Sequence, residues 1–215
     1  MTSVADYRKL WQHQLCAGLD QMQLTADGAL QAALLDYLAL LWRWNQAFNL
    51  TAIRDPQQMV ARQLLDCLAI LPQVQGPRLL DVGSGAGLPG IPLALACPDW
   101  QCTLLDANGK KIRFIQQVVT RLGLANVTPV QARLEDFRTG VGFDTITARA
   151  FAAPPKLVSA TATLRADTGC WALMLGRYPE AQVTTWLDAS DYHYQVVPLV
   201  VPDEPGQRHV LSIWR

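Results

Sequence analysis

Apolar residues in the first third of the chain recur three and four positions apart, the period of a helix with one buried face. Residues 4–19 and 25–47 follow that pattern, and in the second Leu30, Leu34, Leu38, Leu41 and Trp42 form a stripe that needs a partner surface. Asp55-Pro56 supplies a capping acid and a first-turn proline, and Val60, Leu64, Leu68 and Leu71 carry a further helix toward Pro72. Residues 1–72 therefore predict an all-helical extension. From Leu79 the texture changes to short apolar runs separated by helical stretches. Strands over 79–82, 101–105, 127–131, 144–148 and 170–175 alternate with helices over 88–97, 110–122 and 155–164. Such alternation implies parallel strand pairing in a doubly wound α/β sheet. Segments 194–200 and 209–214, on either side of Pro202-Asp203-Glu204-Pro205-Gly206, predict a closing hairpin. Residues 73–215 thus read as an α/β domain, packed with the helical extension as one unit.

Half of the 215 residues are hydrophobic, enough for a sizeable core, so the chain is expected to fold alone and to act as a monomer. The formal net charge is zero, and a polyanionic partner would have to be met by a local patch rather than by the general field of the protein. Five cysteines, Cys16, Cys67, Cys97, Cys102 and Cys170, are scattered without a C-x-x-C pair and read as thiols of a reducing cytoplasm. The first residues carry Asp6, Arg8 and Lys9 and no long apolar run, which indicates neither a signal peptide nor a membrane span. His13, His193 and His209 are isolated, and no His/Cys/Asp/Glu cluster has metal spacing, so no metal is expected.

The chemistry concentrates at the end of the first strand, where Asp81-Val82 runs into Gly83-Ser84-Gly85-Ala86-Gly87-Leu88-Pro89-Gly90. Glycines at alternate positions suit a turn that bends sharply and lets a ligand approach the backbone. Gly85-Ala86-Gly87-Leu88-Pro89-Gly90 satisfies the dinucleotide pattern G-x-G-x-x-G, but Asp81 would repel a pyrophosphate and could accept from a cationic ligand. The pattern Asp81-x-Gly83-x-Gly85-x-Gly87 looks like the first motif of S-adenosylmethionine-dependent methyltransferases, whose ligand carries an ammonium and a sulfonium.

Asp106 ends the next strand about twenty residues on, where an acid can accept both hydroxyls of a ribose or, alternatively, cap the following helix. Glu135 and Asp136 follow the third strand and either lie over the ligand's base or form a solvated pair. Lys110, Lys111 and Arg113 open a helix, where cations gain nothing from the macrodipole. Between Asp106 and Glu180 ten basic residues stand against six acidic ones, which suggests a phosphate-facing surface or else a solvated basic face. Arg149 ends the fourth strand beside Phe151 and could contact a purine, a phosphate or a neighbouring acid. The chain lacks the Asn/Asp-Pro-Pro-Tyr/Phe motif expected for amine methylation and a strand-end cysteine for pyrimidine carbon, leaving a ring nitrogen, an oxygen or a small molecule as acceptor.

With those residues in view, the chain closely resembles the glucose-inhibited division protein B family of bacterial 16S rRNA guanine-N7 methyltransferases. The resemblance rests on residues 42–56, the run Leu80 to Leu93 with its Gly87-Leu88-Pro89-Gly90-Ile91-Pro92, Leu104-Leu105-Asp106, Lys110 to Phe114 and Arg149 to Ala152. It implies a Rossmann-like class I methyltransferase sheet with an N-terminal helical extension. It also implies S-adenosylmethionine as cofactor and N7 of a guanine, guanine 527, in 16S rRNA or the small ribosomal subunit as acceptor. Asp81, Gly83, Ser84, Gly85, Gly87, Leu88, Asp106 and Glu135 would then hold the cofactor, and Arg149 would serve cofactor or target base as the catalytic residue. Lys110, Lys111, Arg113 and Arg177 would meet RNA. Gln63 and Cys67 stand where the family usually has histidine and serine, and Leu175-Gly176-Arg177 replaces a lysine-glycine pair. A NAD-linked oxidoreductase and a non-catalytic RNA-binding module are the competing classes.

Overall fold

The structure, a computed structural model, describes residues 4–215. Three helices lead: α1 (Val4–Gln21), α2 (Gly28–Phe48) and a composite α3 over residues 56–68. Asp27 caps α2 by accepting from the Leu30 N–H at 2.8 Å, and Asn49 closes it in the left-handed region at φ 50°. Asp55 accepts from the Gln57 N–H at 3.0 Å and Pro56 takes the first helical position of α3. The middle of α3, Val60–Leu65, widens into a π-helical turn before Asp66–Leu68 resumes α geometry. Turns of this kind recur at functional sites.

The sheet has seven strands in the order β3-β2-β1-β4-β5-β7-β6. They are β1 (Arg78–Val82), β2 (Gln101–Asp106), β3 (Val127–Gln131), β4 (Phe143–Arg149), β5 (Arg165–Leu175), β6 (His193–Pro198) and β7 (His209–Trp214). The first five pair in parallel, while β7 runs antiparallel between β5 and β6. Helices α4 (Gly90–Ala96), α5 (Gly109–Leu122), α6 (Pro154–Thr161) and α7 (Ala181–Asp188) complete the chain. Two elements depart from the sequence expectation. Strand β5 begins at Arg165 rather than at residue 170, through a polar stretch beside a register shift between Phe143 and Thr145. Helix α7 has no counterpart in the predicted elements.

Two hydrophobic clusters flank the sheet. Trp11, Leu15, Leu34, Tyr37, Leu38, Leu64, Ile91, Phe114 and Ile115 belong to one, which joins the leading helices to α4 and α5. The other unites Leu80, Ile146, Leu157, Val158, Trp171, Leu187 and Ile213 beneath α6 and α7. The helical stripe of α2 therefore finds its partner surface on the helices of the sheet, where Tyr37 and Trp44 approach the Phe114 ring at centroid distances of 6.3 and 5.5 Å. Strand order reverses at β1, which lies between β2 and β4, and a crevice at such a reversal, beyond the strands' carboxyl ends, is where ligands bind in sheets of this kind.

Candidate active site

The turn after β1 needs its glycines. Gly83, Gly85 and Gly87 have φ of 68°, 60° and 86°, conformations that a side chain would strain. The N–H groups of Gly83 and Ser84 donate to the Leu105 carbonyl at 2.8 and 3.0 Å, and those of Gly87 and Leu88 donate to the Ser84 carbonyl. Asp106 fixes the outer edge: its two oxygens accept from the Gly85 N–H at 2.9 Å and the Asn108 N–H at 2.8 Å. From behind, the Tyr37 hydroxyl of α2 donates to the Ala86 carbonyl at 2.8 Å.

Asp81 lies fully buried under this turn, one oxygen accepting from the Gly90 N–H at 2.9 Å. Its other oxygen has no hydrogen-bond partner among the described residues, and neither has the buried Ser84 hydroxyl. Burial pushes the Asp81 carboxyl up from the ordinary 3.8 to about 7, the Gly90 hydrogen bond and the Arg149 charge pulling against it.

Two cavities open above the strand ends. A first, of about 350 Å³, is bounded by Gly83, Asp106, Lys111, Arg133, Glu135 and Phe151. These residues fit a nucleoside, with acceptors at Asp106 for ribose hydroxyls and a bare backbone at Gly83; the unpartnered Asp81 oxygen lies buried beneath the turn, outside this lining. Glu135 stands on its wall as the sequence suggested, whereas Ser84 and Leu88 point into the interior. Lys111, predicted to face RNA, reaches within 3.7 Å of Asp106 and lines this cavity instead; Lys110 and Arg113 are exposed on α5. Arg177 is exposed and pairs with Glu180.

A second cavity, of about 510 Å³, lies beyond β4 and β5 and is lined by Arg62, Gln63 and Asp66 of α3, Arg149, and Arg208 before β7. Here Arg149 is tied to the helical extension. Its guanidinium donates to the Arg62 carbonyl and the Gln63 amide oxygen, both at 3.0 Å, and to Asp66 at 3.3 Å. Arg208 approaches the other Asp66 oxygen at 3.2 Å and Glu204 at 3.1 Å, and Glu204 pairs with Arg62 at 2.9 Å. Burial raises the Asp66 carboxyl above its ordinary value while Arg149 and Arg208 pull it back. Three guanidiniums thus meet two carboxylates, leaving one positive charge at the cavity floor. Asp66, Arg62, Glu204 and Arg208 were absent from the sequence prediction; the signal for two of them was charge inside the apolar run Val60 to Leu68.

A family model for rRNA small subunit methyltransferase G matches residues 30–211. The chain belongs to this family. Ribosomal RNA small subunit methyltransferase G of Alkalilimnicola ehrlichii is 50% identical over 198 residues, covering 92% of this chain and 90% of that protein. The Chromohalobacter salexigens protein of the same name is 47% identical over 208 residues, covering 94% and 96%. In fold, the chain is similar to magnesium protoporphyrin IX methyltransferase from Synechocystis, with TM-score 0.57, 15% identity and coverage of 84% and 98%. A methyltransferase from Aquifex aeolicus also gives TM-score 0.57, at 18% identity and coverage of 75% and 94%. As a member of the methyltransferase G family the chain is a methyltransferase using S-adenosylmethionine on a class I sheet, which sets aside the NAD-linked and non-catalytic alternatives. Among the described residues no group of His, Cys, Asp and Glu could hold a metal, and no helix is long and apolar enough to cross a membrane.

Proposed function

We propose that the chain transfers a methyl group from S-adenosylmethionine to N7 of a guanine in 16S rRNA, acting as a monomer in the cytoplasm on the RNA or the small subunit. The observation that carries this reading is the pair of adjoining cavities, one built for a nucleoside and the other floored by cations, with the end of β4 between them. Asp106 and Glu135 hold the nucleoside in the first, and Asp81, with Gly83, Gly85 and Gly87, forms its methionine end. When bound, S-adenosylmethionine supplies an electrophilic methyl group whose bond to sulfur breaks with the electron pair left on sulfur. Guanine N7 accepts that methyl with its own lone pair and releases no proton, so the residues here need to align and exclude rather than to act as a general base. Arg149, held by Gln63 and Asp66, presents its guanidinium to the guanine's acceptor edge or to a phosphate and so orients the base before transfer. Lys110, Arg113 and Arg177 offer exposed charge to the RNA backbone.

The test is mass mapping of 7-methylguanosine in 16S rRNA from a strain lacking this chain, with and without the gene restored. The modification is expected to vanish and return. Unchanged 7-methylguanosine in the deletion strain would overturn the proposal.

A further inference from the structure

A single aromatic ring stands where the two cavities meet. Phe151 lines both of them. It follows Ala150, whose φ of 53° is unusual for a residue with a side chain, and that backbone swings residue 151 away from the line of β4. The ring comes to rest against the bare backbone of Gly83, in space a side chain there would have filled.

Packing does not account for this ring. Large aromatic side chains ordinarily dominate cores, yet Phe151 belongs to neither hydrophobic cluster of the described residues and is 47% exposed. The second cavity has one other ring, His209, and that one is engaged edge-on by Tyr178 at 5.7 Å. Around Phe151 the walls are aliphatic, from Ile53, Leu175 and Leu199, or polar, from Gln63 and Arg149.

We propose that Phe151 is the aromatic wall against which the target purine stacks during methyl transfer, an inference that rests on the guanine-N7 reading above. An acceptor in the second cavity must turn one edge toward the first, and the boundary it meets is this ring. Stacking there holds the purine plane so that its N7 edge looks across the boundary. Charge supplies a second reason. Guanine is neutral before the reaction and cationic after it, and the face of a phenyl ring attracts cations. The contact therefore strengthens as the methyl arrives, which is the differential binding that raises a rate.

The experiment compares Phe151→Leu and Phe151→Tyr with the unaltered protein in single-turnover methylation of 16S rRNA at saturating S-adenosylmethionine, with adenosylhomocysteine affinity measured by calorimetry. Leucine keeps apolar bulk without a π face; tyrosine keeps the face. The expected result is a rate loss of about tenfold or more for F151L, recovery to within about threefold for F151Y, and adenosylhomocysteine affinities within about threefold for both. F151L at the unaltered rate, or F151Y as slow as F151L, overturns the inference. So does a collapse of adenosylhomocysteine affinity in F151L, since the ring would then serve the first cavity. If the unaltered protein makes no 7-methylguanosine, the guanine-N7 reading itself fails, a result the variants do not mimic.

Discussion

Asp81→Asn separates what the buried carboxylate does for ligand binding from what it does to the fold. In the folded protein its carboxyl is raised from 3.8 to about 7, chiefly by burial. A group that holds its proton more tightly folded than unfolded stabilises the fold at low pH and loses that contribution as pH rises from about 4 through 7. Between pH 5 and 8 the loss spans about two pH units, or ~3 kcal/mol at about 1.4 kcal/mol per unit. Asparagine cannot ionise, and any fixed penalty of the amide applies equally at both pH values. Urea unfolding should therefore show D81N gaining on the unaltered protein by ~2–3 kcal/mol between pH 5 and pH 8, which in a chain of this length raises the relative melting temperature by about 4–12 °C. The same variant should bind adenosylhomocysteine about tenfold or more weakly at pH 8, having lost a carboxylate for the ligand's ammonium. A stability difference that stays constant from pH 5 to pH 8 would refute the argument that Asp81 is buried as a costly anion.

Asp66→Ala leaves Arg149 and Arg208 without their shared carboxylate, and should lower stability by about 3 kcal/mol, the lower end of the range for a broken buried pair because both arginines retain some exposure; denaturant unfolding checks it. Gly85→Ala and Gly90→Ala should fail differently. At Gly85 a methyl meets only ordinary van der Waals contacts, the Gly83 carbonyl at 3.8 Å and the Lys111 amine at 4.0 Å, but φ is 60°, giving about 1–2 kcal/mol of backbone strain, whereas at Gly90 it would lie 2.8 Å from an Asp81 oxygen and from Leu104, costing about 1–3 kcal/mol by overpacking. Because only the second variant crowds Asp81, only it should alter the pH dependence of stability, as thermal melts across pH would show. Replacing Lys110 and Arg113 together by alanine should weaken 16S rRNA binding and reduce the slope of log affinity against log salt by about one per cation in contact, leaving adenosylhomocysteine affinity unchanged.

The glycine turn was legible in the sequence because its conformations admit few other residues, and Asp81 and Asp106 because strand ends fix where their side chains stand. The parallel strands announced themselves through apolar runs. The first half of β5 did not, since Arg165 to Gly169 is polar and partly exposed; nor did α7, whose apolar positions reduce to Val183, Trp186 and Leu187. The floor of the second cavity was hidden for another reason. Arg149 meets Asp66 across 83 positions of sequence, and Arg208 joins them from the far side of the sheet's closing strands. No periodicity encodes such a meeting. The sequence placed Arg149 at a strand end and allowed it purine, phosphate or acid; the structure adds which acid it pairs with, Asp66.

The hydrogen bond from Tyr37 to the Ala86 carbonyl bears on how far this enzyme can be reduced in size. A truncated version beginning at β1 would keep every strand and every glycine of the turn, yet it would lose the phenol that braces the turn from behind and expose the Phe114 face that Tyr37 and Trp44 cover. A minimal catalytic fragment of this chain therefore has to start ahead of α2, and proteolysis within α2 should silence the enzyme although no residue of that helix lines either cavity.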